Sequence, residues 1–545
     1  MKKSLKKCIA TVCALTCVGS TFVGCGKGGG PMFAVDVLEV DATKTPLYIG
    51  NYSGGMGSRW LDEFEKGFEE LYKEVSFEEG KKGVDVVVDN DKQTYEPSSI
   101  EKSIDGSIIN VYFTERANYY KFINEGLIMD ISSAVTKTIS GESKSIEGKL
   151  TQTQQGYYKV DGKYYGLPHY RSFRGIVYDK DLFNEKKLYI KADGNFGAKE
   201  GEALSYGPNG QPGGGDDGLP ATYDEFFAWC YWMKNTKQVT PIIWNGENKE
   251  SYTKHLLDAL HADASGVVEA STYYNVPQTP TNVRVVTGFT GETPNVQTVA
   301  LSRDNYTMAE QLMGNYYSLN FLDRLVKGNY YYNLSMNSSL SHVEAQRTFL
   351  HSRFDGVQPI AMMVEGTWWE EEANELFEGM KNFEGASRSE RSFGFLPMPK
   401  PDASYAGTPT LYDANKSIVM VNANCEDKPV QKDLALKFIE YISTDANLQL
   451  FNSLTGIGRD YAYEMTPEQQ TTLTSFAKDI YNFTQSGSIV YGYNMTKSNY
   501  AWSETHELEM RVTSVGGESW SEPVNAFYNG ITAQQYFQGV IDKNK

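Results

Sequence analysis

The stretch from Tyr157 to Leu188, YYKVDGKYYGLPHYRSFRGIVYDKDLFNEKKL, constrains this chain more than any other. Alternating aromatics flank Asp161-Gly162, the dipeptide best suited to a two-residue hairpin turn with positive φ. Gly166-Leu167-Pro168 then breaks the ladder, because proline has no amide donor and biases its predecessor toward extended geometry. Phe173 to Tyr178 is short, apolar and β-rich, and reads as a new strand. Asp179 is placed to cap a helix opening at Asp181-Leu182-Phe183. A strand pair, a proline crossover and a fresh strand leading to a helix is how a chain leaves one lobe and starts another. At 545 residues the chain is too long for one compact core, so at least two domains are expected.

Elsewhere the periodicities alternate between strand and helix. Residues 47–52 form a β run that ends in Ser53-Gly54-Gly55-Met56-Gly57. A helical pattern over 60–73 follows, with Trp60, Leu61, Phe64, Phe68 and Leu71 on one face. Such an opening offers backbone amides to a polar ligand group, or is simply a tight βα turn. Strands are expected at 84–88 and within 104–113, the latter followed by Thr114-Glu115-Arg116. Residues 193–218 are a glycine-rich surface insertion; Asp193, Asn195 and Gly197 faintly suggest a calcium loop, but the carboxylate required at its twelfth position is missing. Thr222 reads as an N-cap with Glu225 completing a capping box. Residues 241–243 form a strand that leaves Trp244 at its end, where α/β lobes meet ligands. Residues 271–305 are a loop or hairpin, and 306–326 are helical. Residues 360–364 form a strand running into Glu365-Gly366-Thr367-Trp368-Trp369. A strand is expected at 417–421, then helices at 429–443, from Asp445 to about Leu454, and at 532–541. The first of these turns Leu434, Ala435, Phe438, Ile439 and Ile442 inward.

These segments resemble, in order, family 1 extracellular solute-binding proteins, the receptors of carbohydrate ABC importers that include maltose-binding protein. The motifs are Asp161-Gly162-Lys163 through Pro168 and on to Phe183, the strand before Glu115-Arg116, Pro220 to Phe226, and Ala361-Met362 through Gly366 to Trp368. The resemblance covers most of residues 46–545 and implies an α/β, two-lobed periplasmic-binding-protein-like (type II) fold. Lobe 1 would hold 46–168 and 402–456, and lobe 2 169–401 and 457–545. The hinge crossings would fall near Gly166–Arg174, Pro397–Pro401 and Gly456–Arg459. It further implies that Glu115 and Arg116 bond vicinal hydroxyls as acceptor and donor, and that Trp502 presents a stacking face. Position and resemblance together give Tyr52, Glu115, Arg116, Tyr170, Arg171, Trp244, Trp368, Asp413 and Trp502 as candidate ligand contacts. Aromatic faces would stack on sugar C–H groups. Arg171 and Arg174, beside a hinge, leave acidic sugars open.

The amino end bears on the compartment. Lys2, Lys3, Lys6 and Lys7 precede an apolar run over 8–23, which closes on Phe22-Val23-Gly24-Cys25. That resembles a bacterial lipobox: residues 1–24 would be a lipoprotein signal peptide, Cys25 the lipidated first residue, and 25–45 a flexible tether. Removing those four lysines and no acid takes the net charge from −18 to −22, which argues against nucleic acid or anionic lipid as partners. Cys230 and Cys425 are either buried thiols or one disulfide.

Catalytic patterns are sparse. The six histidines show no HExxH, and no GxSxG elbow, Walker loop or dinucleotide fingerprint appears, so neither metal nor cofactor is expected. Acid clusters such as Asp216-Asp217 or Glu370-Glu371-Glu372 could serve a glycosidase, but a chain with 69 acids places such groups together by chance. The expectation is therefore a receptor without enzymatic activity: monomeric, lipid-anchored on the outer face of the cell membrane, closing its lobes on an oligosaccharide and delivering it to an ABC permease. The alternatives are a lipid-anchored glycosidase or lyase, or the same fold binding a peptide.

Overall fold

The computed structural model describes residues 39–383, 385–508, 512–515 and 517–545. The leader at 1–24, Cys25 and most of the tether at 25–45 lie outside the described residues. Nine strands build two sheets: β1 (Thr45–Asn51), β2 (Val84–Asp89), β3 (Val111–Thr114), β4 (Gly166–Pro168), β5 (Arg174–Asp179), β6 (Thr240–Ile243), β7 (Ile360–Gly366), β8 (Phe393–Leu396) and β9 (Ile418–Val421). The first sheet has the order β2-β1-β3-β9-β4. Its β1 runs parallel to β2 and β3, while β9, arriving from far downstream, inserts antiparallel between β3 and β4. The second sheet has the order β6-β7-β5-β8, with β5 antiparallel to both neighbours.

Two apolar cores follow the two sheets. One gathers residues 47–170 with 418–461; the other gathers 176–398 with 524–541, and a third cluster beside it joins Phe173, Trp369 and Phe395 to Leu411 and Phe476. The helix Arg59–Tyr72 buries Trp60, Leu61, Phe64 and Phe68 against the first sheet. Leu71, expected on that face, is exposed; Tyr72 closes the last turn instead, edge-on to Phe68 at 4.9 Å. The helix Pro429–Ile442 buries the five residues expected of it. Cys230 and Cys425 are buried free thiols, one in each core, so they form no disulfide with each other.

The central stretch forms the expected hairpin, with Asp161 and Gly162 at φ of 51° and 82° joining two short strands. Gly166-Leu167-Pro168 does not end the pairing, however. It is itself β4, an edge strand paired with β9 on one side, a place where proline's missing donor costs no ladder bond. Asp179 caps the next helix by accepting from the Leu182 amide at 3.0 Å. Thr222 caps as expected, but the Glu225 carboxylate takes the Ala221 amide at 2.6 Å rather than that of Thr222. Residues 281–301 are a hairpin, as one of the two readings had it.

The chain passes between the sheets at 169–173 and returns at 414–417, not at Pro397–Pro401. After β8 it stays beside the second sheet: Lys400 bridges to Thr222, and Thr410–Asp413 pairs in parallel with Ser488–Tyr491. A third passage begins at Gly456, whose φ of 73° closes the preceding helix. The three passages are bonded to one another. The His169 amide donates to Ser417 O and the Arg171 amide to Gly458 O, each at 3.0 Å. Arg459, 1% exposed, donates to His169 O at 3.0 Å, Pro168 O at 3.2 Å and Ile442 O at 2.8 Å. Arg459→Met would leave three buried carbonyls without donors. We expect it to lower unfolding free energy by about 3 kcal/mol, read as a reduced urea midpoint; an unchanged midpoint would show that these bonds contribute nothing net.

Candidate functional site

The carboxyl ends of β1, β3 and β7 meet where the two lobes touch, and Trp368 stands at that junction. It follows β7 of the second sheet, is 8% exposed, and packs with the first lobe's core. Two glycines make room for its indole. A methyl group on Gly55, in the loop after β1, would lie 2.5 Å from the ring; one on Gly366 would lie 2.2 Å from it. The glycine turn after β1 therefore serves the close approach of a tryptophan from the opposite lobe. Next to it, Arg59 reaches Glu371 across the junction at 2.6 Å. The neighbouring Trp369 is core, surrounded by Phe349, Phe377, Phe393 and Phe476.

The residues after β3 face the same place. Glu115 is buried and accepts from the Tyr170 hydroxyl. Burial pushes its carboxyl up; Tyr170 and Arg116 oppose that, and Glu372 of the other lobe adds to it. Arg116 adopts a left-handed backbone, φ 52°, with its amide on Asn415 O at 2.8 Å. That turn sends its exposed guanidinium to the Tyr52 hydroxyl at 3.5 Å. Tyr52, Glu115, Arg116, Tyr170 and Trp368 are thus assembled around one junction.

Four other candidates are placed differently. Trp244 is fully buried in the second core, its ring 4.9 Å from Tyr331, so it is a packing residue and not a ligand contact. Arg171 bonds Asp460 Oδ1 and Tyr461 O, both at 3.0 Å, so its guanidinium is committed within the protein. Asp413 is buried at the end of the strand Thr410–Asp413, just before the second passage, where it accepts from the Ser172 hydroxyl at 3.3 Å and the Phe173 backbone bridges to its own. Trp502 lies along the wall of a cavity of about 550 Å³ that also takes in Tyr273, Tyr274, Tyr493 and His506. There it stacks on His506, 4.5 Å apart and 7° from parallel, with the Arg303 guanidinium 5.5 Å from its ring. The wall residues Gly492 and Tyr493 directly follow the strand paired with Asp413.

Several groups at the junction have no counterpart among the candidates read from the sequence. Tyr252 and His255, on the helix Lys249–Tyr274, stack at 5.3 Å, and His255 approaches Trp368 edge-on at 6.4 Å. Burial, then Arg174, hold His255 neutral, and its Nδ1 has no hydrogen-bond partner. Glu365, at the end of β7, accepts from Tyr252 at 3.1 Å and from Gln346 at 3.3 Å, and Gln346 also donates to Glu372 at 2.8 Å. Burial, then Glu372, push Glu365 up to about 8. Spacing alone signals neither the helix face nor the shared glutamine. No group of three or more metal-ligating side chains is found among the described residues. In the 193–218 insertion, Asp193 accepts from the Asn195 amide and Asp216 from Asn209.

No family model matches the chain, and no curated protein matches it in sequence. Solved structures do. The GacH receptor of Streptomyces glaucescens, described unliganded and with acarbose, superposes with a TM-score of 0.55 at 14% identity, covering 92% of this chain and 97% of that one. Raffinose-bound RafE, a solute-binding protein also described in apo form from Streptococcus pneumoniae, superposes at 0.53 and 15%, covering 92% and 98%. A chitin oligosaccharide binding protein superposes at 0.53 and 13%, with the same coverage. At these identities the likeness establishes the fold alone: the chain shares the two-lobed α/β fold of these proteins over nearly its whole length.

Burial, then Asp460, also push Asp413 up to about 8. A carboxyl whose folded value is raised stabilises the fold fully below its unfolded value, near 4, and loses that contribution as pH rises through the folded value. Melting temperature is therefore expected to fall between pH 5 and pH 8.5, and Asp413→Asn to flatten that slope. Parallel profiles for variant and parent would show that Asp413 does not titrate in this window.

Proposed function

We propose that this protein is an extracellular receptor that captures a carbohydrate, an oligosaccharide, between its two lobes and hands it to the permease of an ABC importer. The observation that carries the reading is Trp368. Its flat apolar face stands between two glycines at the lobe junction, with Tyr52, Glu115, Arg116 and Tyr170 close by. A sugar ring needs that combination, because its C–H face stacks on an aromatic surface while its hydroxyls take donors and acceptors around the rim. Contacts that require both lobes would favour the closed state and so couple capture to a shape the permease can read. The three structural neighbours above, described with acarbose, raffinose and chitin oligosaccharide, support a carbohydrate ligand. The lipobox-like Phe22-Val23-Gly24-Cys25 supports a receptor tethered through lipid on Cys25 to the outer face of the membrane.

The glycosidase alternative is less well supported. Such an enzyme needs two carboxyl groups free to flank the scissile bond, whereas Glu365 and Glu372 share one glutamine and Glu115, across the junction, is held by the Tyr170 hydroxyl. The test is calorimetry and thermal shift against an oligosaccharide panel, with product analysis of every mixture. Binding is expected with the sugar recovered intact, and Trp368→Ala is expected to weaken it by about tenfold or more, roughly 1.4 kcal/mol. Trp244→Ala should instead lower stability by about 3–5 kcal/mol, since it empties a core position. Cleavage products would replace the receptor reading with the hydrolase.

A further inference from the structure

Two buried polar atoms at the lobe junction, His255 Nδ1 and Arg174 Nε, have no hydrogen-bond partner among the described residues. A polar atom in that condition has given up its bonds to water without a replacement, which native proteins seldom tolerate outside a working site. Both residues adjoin Trp368. Arg174 opens β5 as the register partner of Gly366, the glycine against which the indole lies. His255 meets the indole edge-on at 6.4 Å. The positive groups that act on its imidazole come from three elements: Arg174 on β5, Lys254 on the same helix, and Arg116 after β3 of the other lobe.

Neither side chain is loosely held. The Tyr252 ring stacks on the imidazole at 5.3 Å. Tyr252 is itself anchored, because its hydroxyl donates to Glu365, which also accepts from Gln346. The tautomer that donates from Nε2 to Ser251 Oγ, 3.4 Å away, carries its lone pair on Nδ1. Burial and the neighbouring cations hold the ring neutral, which preserves that lone pair. Arg174 is fixed in a similar way. Its Nη1 donates to Asp258 Oδ2 at 3.1 Å and its guanidinium lies 5.9 Å from the centre of the Tyr412 ring, while the Nε–H is unspent. One residue thus offers a held acceptor and the other a held donor.

We infer that His255 and Arg174 are ligand contacts: His255 Nδ1 accepts from a hydroxyl of the sugar ring seated beside Trp368, and Arg174 Nε donates to a hydroxyl of the same ligand. This rests on the carbohydrate-receptor reading and adds two specificity-determining residues to the same site. A polyhydroxyl ring carries donors and acceptors side by side, so it can satisfy both atoms while its C–H face lies on the indole. The succession Gln346, Glu365, Tyr252 and His255 then has a purpose, which is to hold one imidazole nitrogen in place before the ligand arrives.

The experiment is calorimetry on the purified protein at pH 7 with maltotriose, raffinose, xylotriose and chitotriose, the tightest of them being carried into the variants. His255→Phe keeps a ring to stack on Tyr252 but has no nitrogen, and is expected to weaken binding about tenfold. Because it removes an unsatisfied polar atom, it is also expected to melt no lower than the parent in the absence of sugar. His255→Gln keeps a hydrogen-bonding terminus and is expected to bind at least about threefold more tightly than His255→Phe. Arg174→Lys keeps a cation for Asp258 but loses Nε, and is expected to weaken binding about fivefold or more. Parental affinity in His255→Phe or in Arg174→Lys would overturn the inference and leave the receptor reading standing. A lowered melting temperature of sugar-free His255→Phe would do the same, by assigning the imidazole to packing. No binding of any of the four sugars by the parent would overturn the receptor reading and the inference with it.

Discussion

Everything in this molecule depends on how three separate chain passages are held together between two sheets. Arg459 is the centre of that arrangement. A guanidinium removed from water must be fully bonded to remain there, and this one spends its donors on Pro168 O, His169 O and Ile442 O. Those carbonyls belong to the start of the first passage and to the end of the helix Pro429–Ile442. Amides of the first passage meanwhile donate to Ser417 O and Gly458 O. The two lobes are therefore joined by one bonded bundle and not by three independent linkers. A joint of this kind fixes where their strand ends face each other.

That fixed facing is what gives Trp368 its place. The residue belongs to the second sheet by sequence, yet packs with the first core. The absence of side chains at Gly55 and Gly366 decides this: either methyl group would occupy ring space. Around the ring Arg59 pairs with Glu371, Glu365 and Glu372 are held by neutral donors, and Arg116 makes no ion pair among the described residues. Such a site combines a shaped aromatic surface with hydrogen-bond donors and acceptors around it.

The fold was legible in the sequence because it rests on local signals. Asp161-Gly162 produces its hairpin whatever surrounds it, and the inward face of Pro429–Ile442 follows from helical period alone. The failures have non-local causes. Phe393 to Pro399 carries proline signals suited to a lobe crossing, but the chain turns aside there because Thr410–Asp413 finds a partner at Ser488–Tyr491. Pro168 looks like a terminator until β9, some 250 residues later, offers it an edge. At the junction, Tyr52, Glu115, Arg116, Tyr170 and Trp368 come together around the ends of β1, β3 and β7. Trp244 does not, because a strand-end tryptophan reads alike whether or not a distant tyrosine covers it, and Tyr331 does.

Arg171 shows most clearly why charge at a site cannot be read from types alone. Beside a hinge, an arginine suggests an acidic ligand. Its partner, Asp460, lies 289 residues away in sequence and reaches it only because the first and third passages are bonded side by side. The same bundle that joins the lobes thus uses up a guanidinium beside the crossing. Architecture and charge are not separate here: the bonds that hold the crossings together also commit the Arg171 guanidinium within the protein. A change that loosened the bundle would accordingly release that guanidinium as well as the facing of the two sheets.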